Sequence, residues 1–167
     1  MPDIVLRTLC ADDFHKGYMQ LLAQLTLVGN VTEVEFKARF HELSTNPDYQ
    51  VLVAEDIGSG ALVGTATLLL ERKFLRHCGK VGHIEDVVVD ERCRGARLGL
   101  RLITALTEAA QAAGCYKVVL DCSEDNVAFY EKCGLRRKDV QMANYFDIPA
   151  KTVDAAEHDN ERSVGEI

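Results

Sequence analysis

Long hydrophobic runs are absent from the 167-residue chain: none approaches the roughly 18 consecutive apolar residues that a bilayer-spanning helix requires. The N-terminus also lacks the basic start and apolar core of a secretory signal, and the C-terminal Gly165-Glu166-Ile167 is no peroxisomal address. Basic side chains are outnumbered, giving a net charge of −7, which disfavours nucleic acid as a partner because phosphate contacts need clustered Lys and Arg. These absences predict a cytoplasmic protein that works without a membrane or a nucleic acid.

The six cysteines form neither a CxxC pair nor a set of zinc-like spacings. In a chain with no secretion signal, this favours reduced thiols that pack as small hydrophobic groups. A nucleophilic cysteine is the alternative, and nothing in the spacing supports it. We therefore expect no bound metal.

Hydrophobic periodicity divides the chain into alternating strands and helices. Thr32 and Glu35 form a T-x-x-E capping box at a helix start, and Gly58-Ser59-Gly60 indicates a hairpin. The predicted strands cover residues 4–7, 50–56, 61–71, 83–90, 116–121 and 140–146, and the predicted helices cover 12–26, 32–43, 97–113 and 125–132. The strand at 116–121 is expected to be buried on both faces. The pattern predicts one mixed α/β domain at 1–148, with a parallel pair near its centre, and a polar, disordered tail at 149–167.

A buried strand, Val87-Val88-Val89, runs into a loop rich in arginine and small residues that opens the next helix. Free N–H groups and the dipole at a helix start favour an anion, and Arg92, Arg94 and Arg97 would add positive charge. A solvated basic turn that merely starts a helix is the alternative. The loop is no Walker loop, because no Lys with Ser or Thr follows Gly99, and no G-x-G-x-x-G fingerprint, because Arg97 breaks it.

Two adjacent carboxylates, Glu85 and Asp86, lie in a strand pattern just before this apolar stretch. Adjacent strand residues point to opposite faces, so at least one carboxylate should point inward unless the strand bulges. A buried carboxylate is costly unless it is paired, which makes both residues candidates for acid–base or ligand-binding roles. The alternative is an ion pair with Arg72, Lys73 or Arg76.

Two further candidates follow the next predicted strand. Asp121 ends that strand, at the edge where α/β sheets bind ligands, and Tyr130 lies on a short helix beyond it. A phenol with a pKa near ~10 can donate a proton to a leaving thiolate, whose pKa is about 8.5. The alternative is that Phe129 and Tyr130 are core aromatics, which we favour for Phe129 and leave open for Tyr130.

Three runs resemble one family: GHIEDVVVDERCRGARLG, GCYKVVLDCSEDNVAFYEKCG and ERKF at Glu71 to Phe74 are similar to the glucosamine 6-phosphate N-acetyltransferases of the GNAT superfamily. The likeness covers about residues 4–147. It implies the GNAT acyl-CoA N-acyltransferase fold, a mixed α/β sheet whose central parallel strands are splayed, with acetyl-CoA in the splay. It also implies acetyl transfer to the amine of glucosamine 6-phosphate, a step of UDP-N-acetylglucosamine biosynthesis.

The resemblance also assigns roles to individual residues. For acetyl-CoA it implies a strand edge that binds the pantetheine, formed by Val87, Val88 and Val89. The loop that would hold the pyrophosphate consists of Arg94, Gly95, Ala96, Arg97, Leu98 and Gly99. The side chains that would flank the cofactor on its other side are Asn126, Tyr130 and Lys132. For the sugar phosphate it implies a threonine, Thr26, and a basic segment formed by Lys73, Phe74, Leu75 and Arg76. It also implies three carboxylates that bind the amino sugar, and these are Glu85, Asp86 and Asp121.

The implied mechanism is direct transfer in a ternary complex, with no metal and no covalent enzyme intermediate. The predicted catalytic residues are Glu85, Asp121 and Tyr130. Either Glu85 or Asp121 accepts a proton from the amine, and Tyr130 protonates the departing thiolate. A backbone N–H near Val87 stabilises the oxyanion.

Two positions depart from the family pattern. Arg97 replaces a loop glycine, which predicts that the helix has already begun there with an ordinary negative φ. Tyr145, three places after Met142, stands where relatives carry a basic residue that reaches the neighbouring subunit's phosphate site. The resemblance implies a homodimer, and this departure leaves its shared phosphate site open.

Two other functions stay open. A GNAT enzyme for another amine, such as a polyamine or a protein N-terminus, would suit the acidic residues, whereas Lys73 and Arg76 favour an anionic substrate. A non-catalytic domain that kept the fold predicts loss of Tyr130 or Asp121, and both are present.

Overall fold

Five strands lie side by side in chain order in the computed structural model, which describes residues 3–146. The strands are β1 Ile4–Thr8, β2 Tyr49–Asp56, β3 Leu62–Arg72, β4 Lys80–Val89 and β5 Cys115–Val119. Neighbours among the first four pair antiparallel, and β4 pairs with β5 in parallel. The tail predicted at 149–167 lies outside the described residues, as does the end of the predicted domain.

The helices are α1 Tyr18–Leu22, α2 Glu33–Thr45, the single turn α3 Leu75–Cys78, α4 Leu98–Ala112 and α5 Val127–Lys132. The predicted cap of α2 is confirmed, because the Glu35 carboxylate accepts the Thr32 N–H at 2.9 Å and the Thr32 hydroxyl accepts the Glu35 N–H. The single helix predicted for 12–26 is wrong: Gly17, with a φ of 84°, separates a 3-10 helix at Ala11–Lys16 from α1. No helix described within residues 3–146 has the length and apolar character that crossing a membrane needs.

Two apolar clusters cover the two faces of the sheet. Along β2, Leu52 and Ala54 join the cluster that contains α4, whereas Val53, between them, joins the cluster that contains α1 and α2. Helix α4 lies very close to the sheet, since a Cβ built on Gly82 would stand 3.0 Å from the Ala110 Cβ. The helix and the strand that carry the candidate phosphate loop are therefore fixed against each other.

Strands β4 and β5 are paired only over their first halves. Pairing runs from Lys80↔Cys115 to His83↔Val119 and then ends, while β3 continues to pair with β4 as far as Val89. Residues 84–89 of β4 therefore have one edge without a strand partner among residues 3–146. This opening confirms the predicted mixed sheet with a splayed parallel pair, but within residues 3–146 the pair lies at one edge of the sheet and not near its centre as predicted.

Two predictions at the β5 side of the sheet are wrong. Strand β5 is the edge strand of the described chain, and Tyr116 and Lys117 are exposed instead of buried on both faces. Residues 140–146 form no strand in the described chain: they do not pair with the outer edge of β5. Their large apolar side chains are exposed, reaching 89% for Met142.

Candidate active site

The two acidic residues of β4 lie at a β-bulge beside the opening. Thr65 pairs with Val88 and Thr67 pairs with Glu85, so two residues of β4 face a single residue of β3. Asp86 takes a φ of 51° in this bulge, and both carboxylates are exposed. The bulge interrupts the alternation that would have buried one of the two, so both are available to a ligand.

The electrostatics of the bulge favour a proton acceptor. Partial burial raises the pKa of Glu85, and the charges of Asp121 and Asp86 raise it further. Burial also raises the pKa of Asp86. Because both side chains still reach solvent, the cause is partial desolvation beside the cleft walls and not enclosure in the core. Glu85 therefore holds a proton more tightly than an ordinary glutamate, as a general base working near neutral pH requires.

The three basic residues considered as ion-pair partners are engaged elsewhere. Arg72, Lys73 and Arg76 interact with the Asp48 carboxylate, the Glu71 carboxylate and the face of the Tyr116 ring, respectively. Within the described residues, the ion-pair alternative for Glu85 and Asp86 is therefore wrong. Glu85, Asp86 and the nearby Asp121, called the acidic cluster below, therefore carry negative charge that none of these three basic residues neutralises, which suits a cationic group.

Asp121 and Tyr130 approach the opening from the β5 side. Asp121 is exposed and lies two residues past the last paired residue of β5, close enough to Glu85 for the two charges to interact. Tyr130 is 6% exposed and belongs to the apolar cluster of Val87, with Phe129 packed edge-on at a ring distance of 5.0 Å. Burial raises the pKa of Tyr130, so its phenol stays protonated at neutral pH.

The loop after β4 is fixed at its first residue. Asp90 is 3% exposed and accepts hydrogen bonds from the Arg92 backbone N–H at 2.9 Å and from the Arg92 guanidinium at 2.8 Å. These contacts lower the pKa of Asp90 to about 2. Arg92 therefore adds no free charge, whereas Arg94 and Arg97 are exposed and form no ion pair within residues 3–146.

The start of α4 differs from the prediction at one residue. Arg97 does not begin the helix with a negative φ; it precedes Leu98 in the left-handed region, with a φ of 58°. Two residues of the loop, Gly95 with a φ of 82° and Arg97, are therefore left-handed before the helix begins. The first amide N–H groups of this 15-residue helix lack intrahelical acceptors and lie beside an open, small-residue loop, which is an arrangement that can hold an anion.

The sequence profile of the acetyltransferase (GNAT) family matches residues 16–135. The chain belongs to the GNAT acetyltransferase family. A protein of Arabidopsis thaliana named glucosamine 6-phosphate N-acetyltransferase is 49% identical over 143 residues, which are 85% of this chain and 96% of that protein. A Dictyostelium discoideum protein named glucosamine 6-phosphate N-acetyltransferase 1 is 47% identical over 149 residues, covering 89% and 94%.

Solved structures agree with this family assignment. The crystal structure of the Arabidopsis thaliana glucosamine-6-phosphate N-acetyltransferase aligns with a TM-score of 0.84 at 48% identity, covering 86% of this chain and 99% of that one. An acetyltransferase structure from Trypanosoma brucei aligns with a TM-score of 0.80 at 40% identity, over 86% of this chain. The splayed sheet described above is thus the GNAT fold.

The segment predicted to bind the substrate, Lys73 to Arg76, runs into a turn whose backbone is strained. The turn α3 holds Arg76, His77 and Cys78 in the left-handed region, with φ values of 55°, 55° and 58°. Such a conformation costs about 1–2 kcal/mol for each non-glycine residue. Phe74 before them is 96% exposed, and Leu75 is 68% exposed. Costly backbone geometry of this kind is typical of segments that contact ligands.

The remaining predicted GNAT site residues differ in how exposed they are. Val87, Val88 and Val89 are buried, while Thr26 and Lys132 are exposed and Asn126 is half-buried. Within residues 3–146 no hydrogen bond or ion pair joins Thr26 or Lys73 to the three carboxylates. All six cysteines are free thiols, and the described residues contain no group of His, Cys, Asp and Glu that could hold a metal ion.

Sequence reasoning missed three polar residues that contact this site. His83 lies two residues before Glu85 on β4 and its Nε2 lies 2.8 Å from Glu71 Oε2. Gln141 Nε2 donates to Asp121 at 3.0 Å, and Gln24 bonds the loop after β4. The period-two alternation of a strand could have identified His83. The two glutamines act across long sequence separations, for which the sequence carries no local signal.

Proposed function

We propose that this GNAT enzyme transfers the acetyl group of acetyl-CoA to the amine of D-glucosamine 6-phosphate, giving N-acetylglucosamine 6-phosphate. The observation that carries the proposal is 49% identity over 96% of the plant relative that bears this name. The acidic cluster beside a splayed strand pair adds chemical support, because it suits a cationic amine. The product would enter UDP-N-acetylglucosamine biosynthesis.

Acetyl-CoA fits two features that adjoin at the end of β4. The free edge of β4 at Val87, Val88 and Val89 offers backbone groups to the amides of pantetheine, as an added strand would. The loop that follows, Arg94 to Gly99, offers amide N–H groups to the pyrophosphate. Asn126 and Lys132, at the two ends of α5, would flank the same ligand. When bound, acetyl-CoA supplies the acetyl group as an activated thioester.

The amino sugar phosphate would lie between opposite charges. Glu85, Asp86 and Asp121 attract the ammonium group of the substrate, and Asp121 orients the amine. A threonine and the basic segment beside α3 would contact the hydroxyl and phosphate groups, and these residues are Thr26, Lys73, Phe74, Leu75 and Arg76. Arg76 also lies over the ring of Tyr116, which belongs to the half of β5 that pairs with β4, so α3 packs against that half of the strand.

Glu85 is the proton acceptor in this proposal. The substrate amine is protonated at neutral pH and must lose that proton before its nitrogen can attack the thioester carbonyl carbon. The raised pKa of Glu85 suits this step better than an ordinary carboxylate would. A backbone N–H near Val87 would donate to the carbonyl oxygen as negative charge develops on it.

Tyr130 would stabilise the departing sulfur. Its pKa is raised by burial, so the phenol is a persistent hydrogen-bond donor but a weak acid. A thiolate, with a pKa of about 8.5, is less basic than a tyrosinate, so complete proton transfer from Tyr130 is uphill. Tyr130 therefore acts mainly by donating a hydrogen bond to the thiolate as the carbon–sulfur bond breaks, and the thiolate finally takes the second proton that the nitrogen releases when the amide forms.

The proposal is tested by the release of CoA from acetyl-CoA with three acceptors: glucosamine 6-phosphate, glucosamine and a lysine peptide. We expect strong turnover with the phosphosugar alone, because the phosphate supplies binding energy at the basic segment. Equal turnover with unphosphorylated glucosamine would overturn the role of that segment. Turnover only with the peptide would overturn the substrate and leave the enzyme class standing.

We also propose that the enzyme forms a homodimer in which a second copy covers residues 140–146. Val140, Met142 and Phe146 are 83%, 89% and 78% exposed, and this run of apolar side chains follows the open β5 edge. Light scattering should give a dimeric mass for the wild type and a monomeric mass for M142E. V34E, at an apolar residue of α2 that is 79% exposed, is the matched control and should stay dimeric. A monomeric wild type would contradict the proposal.

A further inference from the structure

Gln24 connects two parts of the site that are far apart in the sequence. It lies in the turn that ends α1, where its backbone N–H donates to the Leu21 carbonyl at 3.1 Å. Its side-chain Nε2 donates to Asp90 Oδ2 at 3.2 Å, and its Oε1 accepts the Glu91 backbone N–H at 3.0 Å. The amide thus uses both its donor and its acceptor on one two-residue segment at the end of β4.

That segment is the anchored start of the loop before α4. The Asp90 backbone N–H donates to the Val63 carbonyl of β3 at 2.9 Å, and its side chain binds Arg92. Among the described contacts, Gln24 supplies the hydrogen bond of the Glu91 N–H and a further bond to the buried Asp90 carboxylate. Gln24 therefore fixes the corner from which the arginine-containing loop departs.

On the other side of the contact between Gln24 and Asp90 lies the segment that follows α1. Thr26 follows Gln24 by two residues, and its backbone N–H donates to the Leu22 carbonyl at 3.2 Å in the same turn. A shift of Gln24 relative to Asp90 would change the separation between this turn and the loop before α4. The two segments carry the residues proposed for the sugar phosphate and for the pyrophosphate.

We propose that Gln24 is a positioning residue that holds the segment of Thr26 and the loop before α4 at a fixed separation. The bound sugar phosphate and acetyl-CoA are thereby held in the relative position that acetyl transfer requires. The inference rests on the proposed function for the identity of the ligands. The site needs an amide at this position. Glutamate would place a second carboxylate against Asp90, and methionine would keep the length of the side chain while losing both hydrogen bonds.

The test compares Q24M and Q24E with wild type and with the control Q20M. Gln20 is an exposed glutamine of α1 that makes no side-chain hydrogen bond within the described residues. We expect Q24M to raise the KM for acetyl-CoA and for the amino sugar phosphate by about fivefold each, as the loss of about 1 kcal/mol of positioning predicts. Q24E should raise both more strongly, while Q20M should match wild type.

Hydrogen exchange gives a readout that does not depend on the substrate. In Q24M, amides at 25–31 and at 91–99 should exchange severalfold faster, while those of the β2–β3 hairpin should not change. Faster exchange in one segment alone, or equally across the chain, would overturn the positioning role and leave a purely stabilising one. If wild type fails to turn over glucosamine 6-phosphate, the proposed function fails, and exchange together with calorimetric binding of acetyl-CoA still decides the role of Gln24.

Discussion

Gly95 and Gly114 share one backbone conformation: φ is 82° at both, and a Cβ at either would meet no atom within 4 Å. Gly95 lies in the loop before α4, and Gly114 follows the end of the same helix. The same substitution at the two positions therefore carries the same conformational cost in different surroundings. A comparison of the two substituted proteins therefore separates the effect of the Gly95 loop on ligand binding from the effect of the substitution on folding stability.

We expect G95A and G114A to lower the free energy of unfolding equally, by about 1 kcal/mol, because alanine is strained at a positive φ. Only G95A should raise the KM for acetyl-CoA, since its methyl group would project into the space proposed for the pyrophosphate. Chemical denaturation and initial rates measured on both variants provide the comparison. The same KM in the two variants would rule out a phosphate cradle at this loop.

Replacement of Glu85 by glutamine should separate activity from stability. We expect E85Q to lower kcat at pH 7 by about 100-fold, because the proton acceptor is lost. The folded-state pKa of Glu85 is raised, so its contribution to stability is present at low pH and is lost as the pH rises through that pKa. E85Q should therefore be slightly more stable than wild type at pH 7, as measured by thermal denaturation.

The pH–rate profile provides the complementary measurement for Glu85. The wild-type rate should fall as the pH drops through the raised pKa, because protonated Glu85 accepts no further proton. E85Q should lose this limb of the profile, and the control E108Q, at an exposed position of α4, should keep it. A limb that persists in E85Q would assign the base to another group, with Asp121 the next candidate.

Removal of the Tyr130 hydroxyl should affect turnover without affecting folding. Y130F keeps the ring in its apolar cluster, and the hydroxyl has no hydrogen-bond partner among the described residues. We expect kcat to fall by about 10- to 100-fold, the value of one hydrogen bond to a charged sulfur, with an unchanged melting temperature. Single-turnover kinetics would check the chemical step directly. An unchanged kcat would show that Tyr130 is only a core aromatic.

Asp13 should stabilise the folded protein at neutral pH and lose this effect in acid. It is fully buried, accepts two hydrogen bonds from the Arg7 guanidinium at 2.6 and 2.7 Å, and accepts the Cys10 N–H at 2.8 Å. We expect D13N to lower the free energy of unfolding by about 2–3 kcal/mol at pH 7, because Arg7 loses the buried one of its two carboxylate partners and keeps only Glu55. Urea denaturation measures the loss.

The pH dependence of D13N has a definite sign. The Arg7 guanidinium and the Cys10 N–H lower the pKa of Asp13, so its contribution is present at neutral pH and is lost as the pH falls below the ordinary range of a carboxylate, about 4. Wild type and D13N should therefore become closer in stability as the pH falls from 7 to 3. A gap of constant size would show that packing, and not charge, is responsible.

Local patterns were sufficient to predict most elements of this fold. The capping box at Thr32 placed the start of α2 at the right residue, and the apolar spacing placed α4 to within one residue at each end. Both signals act over a few residues. The prediction for 12–26 failed because the same apolar spacing continues through Gly17, where the backbone turns left-handed.

The site was less predictable, because its geometry depends on contacts between distant residues. The bulge at Asp86 follows from the register that β3 imposes on β4, and the left-handed Arg97 follows from the path of the loop into α4. Neither position is a glycine; aspartate is enriched at positive φ but arginine is not, so the residue type gives a weak signal at Asp86 and none at Arg97. The contact between Gln24 and Asp90 spans 66 residues and has no counterpart in a local pattern.

The free edge of β4 at residues 84–89 would also make the stability of the native state depend on whether a ligand occupies that edge. A ligand that pairs with this edge contributes backbone hydrogen bonds to the native state alone, so ligand binding and folding draw on the same interactions. Chains without the ligand would open more often, present an unpaired strand to proteases and to one another, and be cleared sooner.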